Sequence, residues 1–470
     1  MCGVSGAVIA RGQISEELRL SLFLMQSRGP ESAGMVIKNR FGYWNIRKMG
    51  KVDEVFDAPL RVEGEMGIGH VRYSTTGKST LDNAQPIEGL PFQGAPVWLA
   101  HNGNLVNTAQ LKAECVARGY RFSTSTDTEI IAALIHFSEA PTFIEALKKA
   151  LHRVEGTYAL TILHDGKIYG ARDPTGNRPL ILGQGRDMLF LCSESAVYDV
   201  MSLKFLREVS PGEIIILHQD TMSFSSDVIS EPLAQCKEIQ KPCIFEYVYL
   251  SRPDSRLNNG RIQMLRARMG EHLWREAPVE ANIIVPTLDS GMGVSIGLER
   301  ASRLPLTLGL FRFHYVGRTF LEPTDAQRDA LLRVKLNVIP EEIEGKRVVL
   351  GDDSLVRGRT MKKLVALLMD FGAKEVHVRI GSPPYAYPCH YGINTNEIKD
   401  ELAARRNNGD IEKIRQEIGA TSLHYLSLEG MKQAVVEGTT GLKANNFCDA
   451  CFSGNYHIGN DTIQVFNRSL

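Results

Sequence analysis

Apolar positions fall in short, glycine-bounded runs through the first half of the chain. GVSGAVIA, starting at Gly3, is one such run. TYALTILHDGKIYGARD places two strand-like runs around Asp165-Gly166, a dipeptide suited to the tight turn of a β-hairpin. Helical spacing breaks in at SEELRLSLFLMQS and again at TEIIAALIHFSEA, where Ile130, Ala133, Leu134 and Phe137 share one face. The first half therefore reads as β-rich with intervening helices. Near residue 225 the pattern becomes irregular and polar (FSSDVISEPLAQCKEIQKP), which predicts a linker.

The second half has a different cadence. ANIIVPTLDS, GKRVVLGDDS and KEVHVRIGSP are short apolar strands that run into polar, glycine-containing loops. Between the last two lies TMKKLVALLMDFGA, with Met361, Leu364, Val365 and Leu368 at helical spacing and Gly372 as the stop. Strand, loop, helix, strand predicts a βαβ unit in a parallel sheet, whose ligands bind beyond the carboxyl ends of the strands. The expected class is thus α+β followed by α/β, with domains over 2–230 and 240–455.

Composition adds limits. At 470 residues the chain is too long for one core. Lys+Arg and Asp+Glu are both 54, so net charge gives no pull toward nucleic acid or an anionic membrane. No apolar run approaches the roughly 18 residues of a membrane span. The start MCGVSGAVIARGQ lacks a charged n-region and a cleavage site, which predicts a cytoplasmic protein. Eight cysteines in such a chain are not a disulfide framework; clustered ones point to metal or catalysis.

VVLGDDSLVRGRT carries the first candidate chemistry. Asp352 and Asp353 stand where a buried strand ends, and a turn with Gly358 and Thr360 leads into a helix. Backbone N–H groups at a helix start bind phosphate, and paired carboxylates suit ribose hydroxyls or Mg²⁺. An acidic surface turn with a helix cap would look the same for DDS alone. GK[ST] is absent, so this is no Walker A loop. The glycines of GMGVSIG, at 291, 293 and 297, are spaced too widely for a dinucleotide fingerprint. The residue order of the loop resembles that of type I phosphoribosyltransferases, which bind phosphoribosyl pyrophosphate (PRPP). The resemblance implies that Ser354, Arg357, Gly358, Arg359 and Thr360 hold the 5′-phosphate region and that Asp352 and Asp353 meet ribose and metal.

The second candidate is at the chain start. Cys2 follows Met1 directly. With Met1 removed, its α-amine, of pKa about 7.7–8.0 when unperturbed, can serve as general base to its own thiol. RYSTTG offers Arg72 as a carboxylate clamp, HNGNL offers Asn102 and Gly103 as oxyanion donors, and STDTE offers Asp127 for an ammonium group. Singly these read equally as a surface arginine, an Asn-Gly turn and a helix N-cap. Together MCG, RG…AG, HVRY, HNGNL and TDTE resemble, in that order, class II glutamine amidotransferase domains. That resemblance implies an N-terminal-nucleophile (Ntn) hydrolase αββα fold. It also implies that Cys2 attacks the glutamine amide, Arg72 and Asp127 hold the glutamine, and Asn102 with Gly103 holds the oxyanion.

A glutaminase followed by a PRPP-binding domain is similar to the glutamine PRPP amidotransferases that open purine synthesis. RDPTGNRPL, EYVYLSRPDS, HYVGRTF and LRVKLN extend the resemblance over nearly the whole chain. It implies conversion of PRPP and glutamine to 5-phosphoribosylamine, diphosphate and glutamate. It further implies a closing loop with Arg318, diphosphate contacts from Arg333 and Lys335, Mg²⁺ on Ser290, Asp352 and Asp353, purine nucleotide feedback ligands and a homotetramer. A paralogue aminating another phosphosugar and a PRPP or nucleotide sensor with lapsed activity are the alternatives.

FCDAC supplies Cys448 and Cys451 as C-x-x-C, which fits zinc, an iron–sulfur cluster or a redox pair. The resemblance implies Cys243 and Cys389 as the other two ligands of a structural [4Fe-4S] cluster, with structural zinc the runner-up. Cys115, Cys192 and Cys236 read as buried free thiols. The chain departs from the family pattern at Ser27, Pro30, Leu288, Phe313, His314 and Arg359. Arg359 adds a positive charge beside the phosphate loop.

Overall fold

The computed structural model describes residues 1–74, 77–229, 240–313 and 336–459. Within 3–228 the strands are β1 (Gly3–Ile9), β2 (Ser32–Asn39), β3 (Gly42–Met49), β4 (Met66–Arg72), β5 (Ile87–Phe92), β6 (Ala95–Leu105), β7 (Gly156–His164), β8 (Lys167–Arg172), β9 (Ile181–Gln184), β10 (Met188–Cys192), β11 (Lys204–Glu208), β12 (Glu213–His218) and β13 (Ser223–Val228). They form two antiparallel sheets, ordered β11-β9-β10-β1-β4-β2-β3 and β13-β12-β8-β7-β6-β5. Alternation along the strands sends Val4, Val8 and Ile68 of the first sheet against Trp98, Ala159 and Leu163 of the second, so the sheets close on a shared apolar core.

Helices cover the outer faces. α1 (Ser15–Leu24) buries Leu18 and Leu22 on the first sheet. α2 (Thr108–Ala117), α3 (Thr128–His136) and α4 (Phe143–Arg153) pack on the second. The result is the αββα layering implied by the resemblance. The Asp165-Gly166 hairpin forms as its sequence predicts: His164 pairs with Lys167, and φ is +42° and +73° at the two turn residues.

Two details differ from the sequence reading. α3 is not one-faced, since every residue from Thr128 to Ile135 is buried, wedged between the second sheet and the neighbouring helices. The expected linker also begins too early. Ser223–Val228 pairs with β12 as the edge strand of the second sheet, because a polar, half-exposed strand fits an edge where one side faces water. Residues 230–239 of that segment lie outside the described residues.

The second half is built on α5 (Ile262–Glu276), β14 (Ile283–Pro286), α6 (Met292–Ser302), β15 (Arg347–Asp352), α7 (Arg359–Asp370), β16 (Glu375–Ile380), α8 (Ile411–Ile418), β17 (Ser422–Tyr425) and α9 (Leu428–Val436). The four strands pair in parallel in chain order, with Leu350 of β15 beside Val285 and Val378. Met361, Leu364, Val365 and Leu368 of α7 are buried against this sheet, as their spacing requires. Gly372, at φ +85°, follows the helix end.

The halves meet on a buried ion network. Arg28, ahead of β2, donates to Glu194 and, at 2.7 Å, to Glu246. Arg178 faces Glu246 at 3.6 Å, and Ser255 donates to Glu194. All four ionic side chains are almost wholly excluded from water. Glu246 and Ser255 belong to the second half, and the other three residues to the first.

Replacing Leu368 by Ala removes a fully buried side chain between α7 and the parallel sheet. A stability loss of about 2–5 kcal/mol is expected, measured as a lowered denaturant midpoint for the second-half transition.

Candidate active site

Pairing of β1 with β4 sets Gly3 opposite Val71, so Cys2 and Arg72 lie side by side at the same sheet end. The Cys2 thiol donates to the Tyr73 carbonyl at 3.3 Å, and Arg28 Nε donates to the Cys2 carbonyl at 3.1 Å. Gly29 is required here by close approach: a Cβ would stand 2.3 Å from the Val71 carbonyl carbon. Burial pushes the Cys2 thiol up, while the terminal amine and Arg72 pull it back down. Burial also lowers the terminal amine of Met1 to about 5, so the charged form of that amine is disfavoured here.

Asn102 and Gly103 come from β6 in the facing sheet, paired with Ala159 and Tyr158 of β7. Asn102 is 1% exposed, and neither its Oδ1 nor its Nδ2 has a hydrogen-bond partner among the described residues. A buried amide with both ends unpaired is costly unless it serves a ligand. Gly103 tolerates no side chain, since a Cβ would lie 1.9 Å from the Thr157 carbonyl oxygen.

Asp127 occupies the N-cap position of α3 but makes no capping bond there. Its Oδ2 instead accepts from Leu105 N–H at 2.8 Å, and its Oδ1 faces His101 at 3.7 Å. The helix-cap reading of TDTE is therefore replaced by a carboxylate tied to the end of the Asn102-Gly103 strand. Arg72 donates to the Lys78 carbonyl at 3.1 Å and is nearly fully buried.

In the second half, β15 ends at Asp352. Its Oδ1 accepts from Thr287 and, at 3.3 Å, from Ser290. Ser354 donates to Asp353 at 2.6 Å, and Asp353 Oδ2 is buried without a partner among the described residues. Burial raises both carboxyls above the usual range, and the charge of Asp353 adds to the rise at Asp352. Gly358, at φ +78°, turns the chain into α7, whose first turn has no side-chain cap. Thr360 stands exposed in that turn. Arg357 and Arg359 both pair with Glu401, at 3.5 and 3.2 Å. Arg318, Arg333 and Lys335 lie outside the described residues.

The two groups of residues share electrostatic neighbours. Tyr73, whose carbonyl accepts the Cys2 thiol hydrogen bond, has its phenol in the fields of Glu31 and Arg357. Tyr249, in turn, feels Asp353, Asp352 and Tyr73. Arg28, Arg178, Glu194, Glu246 and Glu401 have no role assigned by sequence alone, although the first, second and fourth stand inside motifs quoted above. One signal was available: Glu246 is a lone acid inside the apolar run IFEYVYL.

Residues 70–198 match the model of a glutamine amidotransferase domain. An amidophosphoribosyltransferase of Archaeoglobus fulgidus is 41% identical over 466 residues, 97% of this chain and 98% of the relative. That of Bacillus subtilis is 37% identical over 469 residues, 98% and 95% of the two chains. The chain belongs to the amidophosphoribosyltransferase family. It is therefore an enzyme, and glutamine-dependent amination of PRPP, the leading expectation from sequence, is the activity of its family. A solved structure described as the allosteric regulatory enzyme of purine biosynthesis superposes with TM-score 0.89 at 38% identity, covering 97% of this chain and 96% of that one. A PRPP amidotransferase from B. subtilis complexed with ADP and GMP gives TM-score 0.89 at 37% identity, covering 97% of both. No helix among the described residues is long and apolar enough to cross a membrane.

Asn102→Ala should lower glutamine-dependent turnover by about 10²–10³-fold while leaving ammonia-dependent synthesis intact. Parallel assays with the two nitrogen donors measure this.

Proposed function

We propose that Cys2, freed by removal of Met1, is the nucleophile that takes nitrogen from glutamine, and that the loop from Asp352 to Thr360 holds the PRPP it aminates. The observation that carries this reading is the unpaired, buried Asn102 amide, beside Gly103 on the sheet that faces Cys2 and Arg72, with Asp127 tied to the end of that strand.

The Cys2 thiol gives its proton to its own α-amine and attacks the glutamine amide carbon. Asn102 Nδ2 and the Gly103 N–H receive the oxyanion. Collapse breaks the C–N bond, and the protonated α-amine returns the proton to the departing ammonia. Water then cleaves the thioester to glutamate. Arg72 clamps the glutamine carboxylate and Asp127 its ammonium group. Ammonia attacks ribose C1 of PRPP as the bond to diphosphate breaks. The α7 N-terminus, with Ser354, Arg357, Gly358, Arg359 and Thr360, receives the 5′-phosphate.

Mg²⁺ fits the carboxylate pair. Asp353 Oδ2 is a buried acceptor in want of a partner, and Asp352 and Ser290 lie beside it. Among the described residues no three His, Cys, Asp or Glu side chains form a metal-holding group. Two carboxylates plus substrate oxygens meet the oxygen-ligand demand of Mg²⁺ instead. When bound, the ion supplies charge neutralisation to the diphosphate.

Cys243, Cys389, Cys448 and Cys451 fit a [4Fe-4S] cluster. Cys243 and Cys448 pair across an isolated parallel bridge, and Tyr391 N–H donates to Cys389 Sγ at 3.3 Å. Burial raises the Cys451 thiol, and Cys243, Cys389 and Cys448 raise it further, so all four are electrostatic neighbours. Structural zinc, which also takes four sulfur ligands, is the other reading of these four thiols, and metal analysis separates the two. The B. subtilis neighbour complexed with ADP and GMP supports purine nucleotides as feedback ligands. The homotetramer follows from the family resemblance alone.

Cys2→Ala should abolish glutamine use and retain ammonia-dependent diphosphate release. Intact-mass measurement should find Met1 absent from the active protein; full glutamine activity with Met1 retained contradicts the assignment. Anaerobically purified protein should carry iron and sulfide in about equal amounts; stoichiometric zinc without iron contradicts the cluster.

A further inference from the structure

Arg178 lies where three parts of the molecule meet, and none of the chemistry above uses it. Its side chain is fully buried. Nε donates to the Tyr391 carbonyl at 3.0 Å and Nη2 donates to the same oxygen. Among the described residues Nη1 donates no hydrogen bond, and it faces Glu246 Oε1 at 3.6 Å. The charge also lies in the field of Cys243, Cys389 and Cys448, which with Glu246 offset the cost of its burial.

Two routes lead from Arg178 to the glutamine site. The first is ionic. Glu246 Oε1 also accepts from Arg28 Nη2 at 2.7 Å, and Arg28 Nε donates to the Cys2 carbonyl. A guanidinium at each side of one carboxylate thus connects Arg178 to the backbone of the nucleophile. The second route runs through the chain at Tyr391. Its carbonyl takes the Arg178 fork and the Thr157 hydroxyl, the latter at 2.8 Å. The next residue, Gly392, packs so closely that a Cβ would stand 3.2 Å from the Gly103 carbonyl and 3.2 Å from Arg178 Nη2. Asn104 donates to the His390 carbonyl at 2.9 Å. The segment 390–392 therefore backs the oxyanion strand, and Cys389 precedes it directly.

We propose that Arg178 is a positioning residue for glutamine cleavage. It holds the Cys2 backbone through Glu246 and Arg28, and the Asn102-Gly103 strand through the Tyr391 carbonyl, both from the side of the cysteine quartet. The inference rests on Cys2 being the nucleophile. It assigns the work to the planar fork as well as to the charge: one guanidinium reaches the Tyr391 carbonyl with two N–H groups while its third nitrogen faces Glu246, which a lysine ammonium cannot reproduce.

The test uses the full-length protein purified anaerobically, with Arg178→Lys and Arg178→Gln. The readouts are the rate of Cys2 alkylation by a glutamine-like electrophile, such as a diazoketone analogue, and ammonia-dependent diphosphate release. Arg178→Lys keeps the charge and guards against loss of folding. Arg178→Lys should alkylate about tenfold more slowly or worse, with its ammonia-dependent rate within about twofold of the parent, and Arg178→Gln, which removes the charge, should alkylate at least as slowly. Alkylation at the parent rate, or equal loss of both activities in the lysine variant, overturns the proposal. Cys2→Ala serves as the control for the underlying reading. If it is still alkylated and still uses glutamine, the nucleophile assignment fails; if it is inert while the Arg178 variants react normally, only the role of Arg178 fails.

Discussion

Two arginines and two glutamates, all excluded from water, join the halves of this chain at Arg28, Glu194, Glu246 and Arg178. Such a network gains little over an apolar contact of equal size, yet removing one member leaves an uncompensated buried charge and is strongly destabilising. Its effect is therefore geometric. Arg28 can satisfy both glutamates only when the second half stands in one place against the first. In that place the Cys2 carbonyl is held by the same guanidinium, and Tyr249 is an electrostatic neighbour both of Tyr73, beside Cys2, and of the β15 carboxylates. The position of one site relative to the other follows from the junction.

The electrostatics of the two sites are opposed in a useful way. Around Cys2, burial disfavours the charged form of the Met1 terminal amine. Beyond β15, burial and mutual repulsion hold Asp352 and Asp353 closer to their protonated forms until a cation or a polyhydroxylated ligand compensates them. Their raised carboxyls bind protons more tightly folded than unfolded. This pair therefore favours the fold most below the ordinary carboxylate range, and that contribution is lost as pH rises through the raised values. A bound cation would remove the penalty at working pH. The pairing of Arg357 and Arg359 with Glu401 gives the loop after β15 a carboxylate partner of its own.

Much of this was legible in the sequence, for identifiable reasons. Period-3.6 spacing in α7 and the strand-end acids of β15 depend on local chemistry, so they could be placed without tertiary information. So could the Asp165-Gly166 hairpin. Asn102, Arg72 and Asp127 were found by residue type and order, but their meaning was not local. HNGNL reads as a turn until β7 is seen to hold it extended, and TDTE reads as a cap until Asp127 is seen to reach Leu105 instead. The junction was missed because each of its charges looks like an ordinary surface residue. Only Glu246, set within an apolar run, broke a local rule, and broken local rules mark sites where another requirement prevailed. α3 was misjudged for the same reason, since its polar end residues gave no hint that it is covered on every side.

The central claim is that nitrogen released at Cys2 is consumed at the facing loop of the same chain. The most direct test supplies glutamine as the sole nitrogen donor, with PRPP and Mg²⁺ saturating, and counts glutamate and diphosphate released over the same interval. The account predicts equal amounts of the two products. Glutamate accumulating without diphosphate, or diphosphate release indifferent to glutamine, would contradict it.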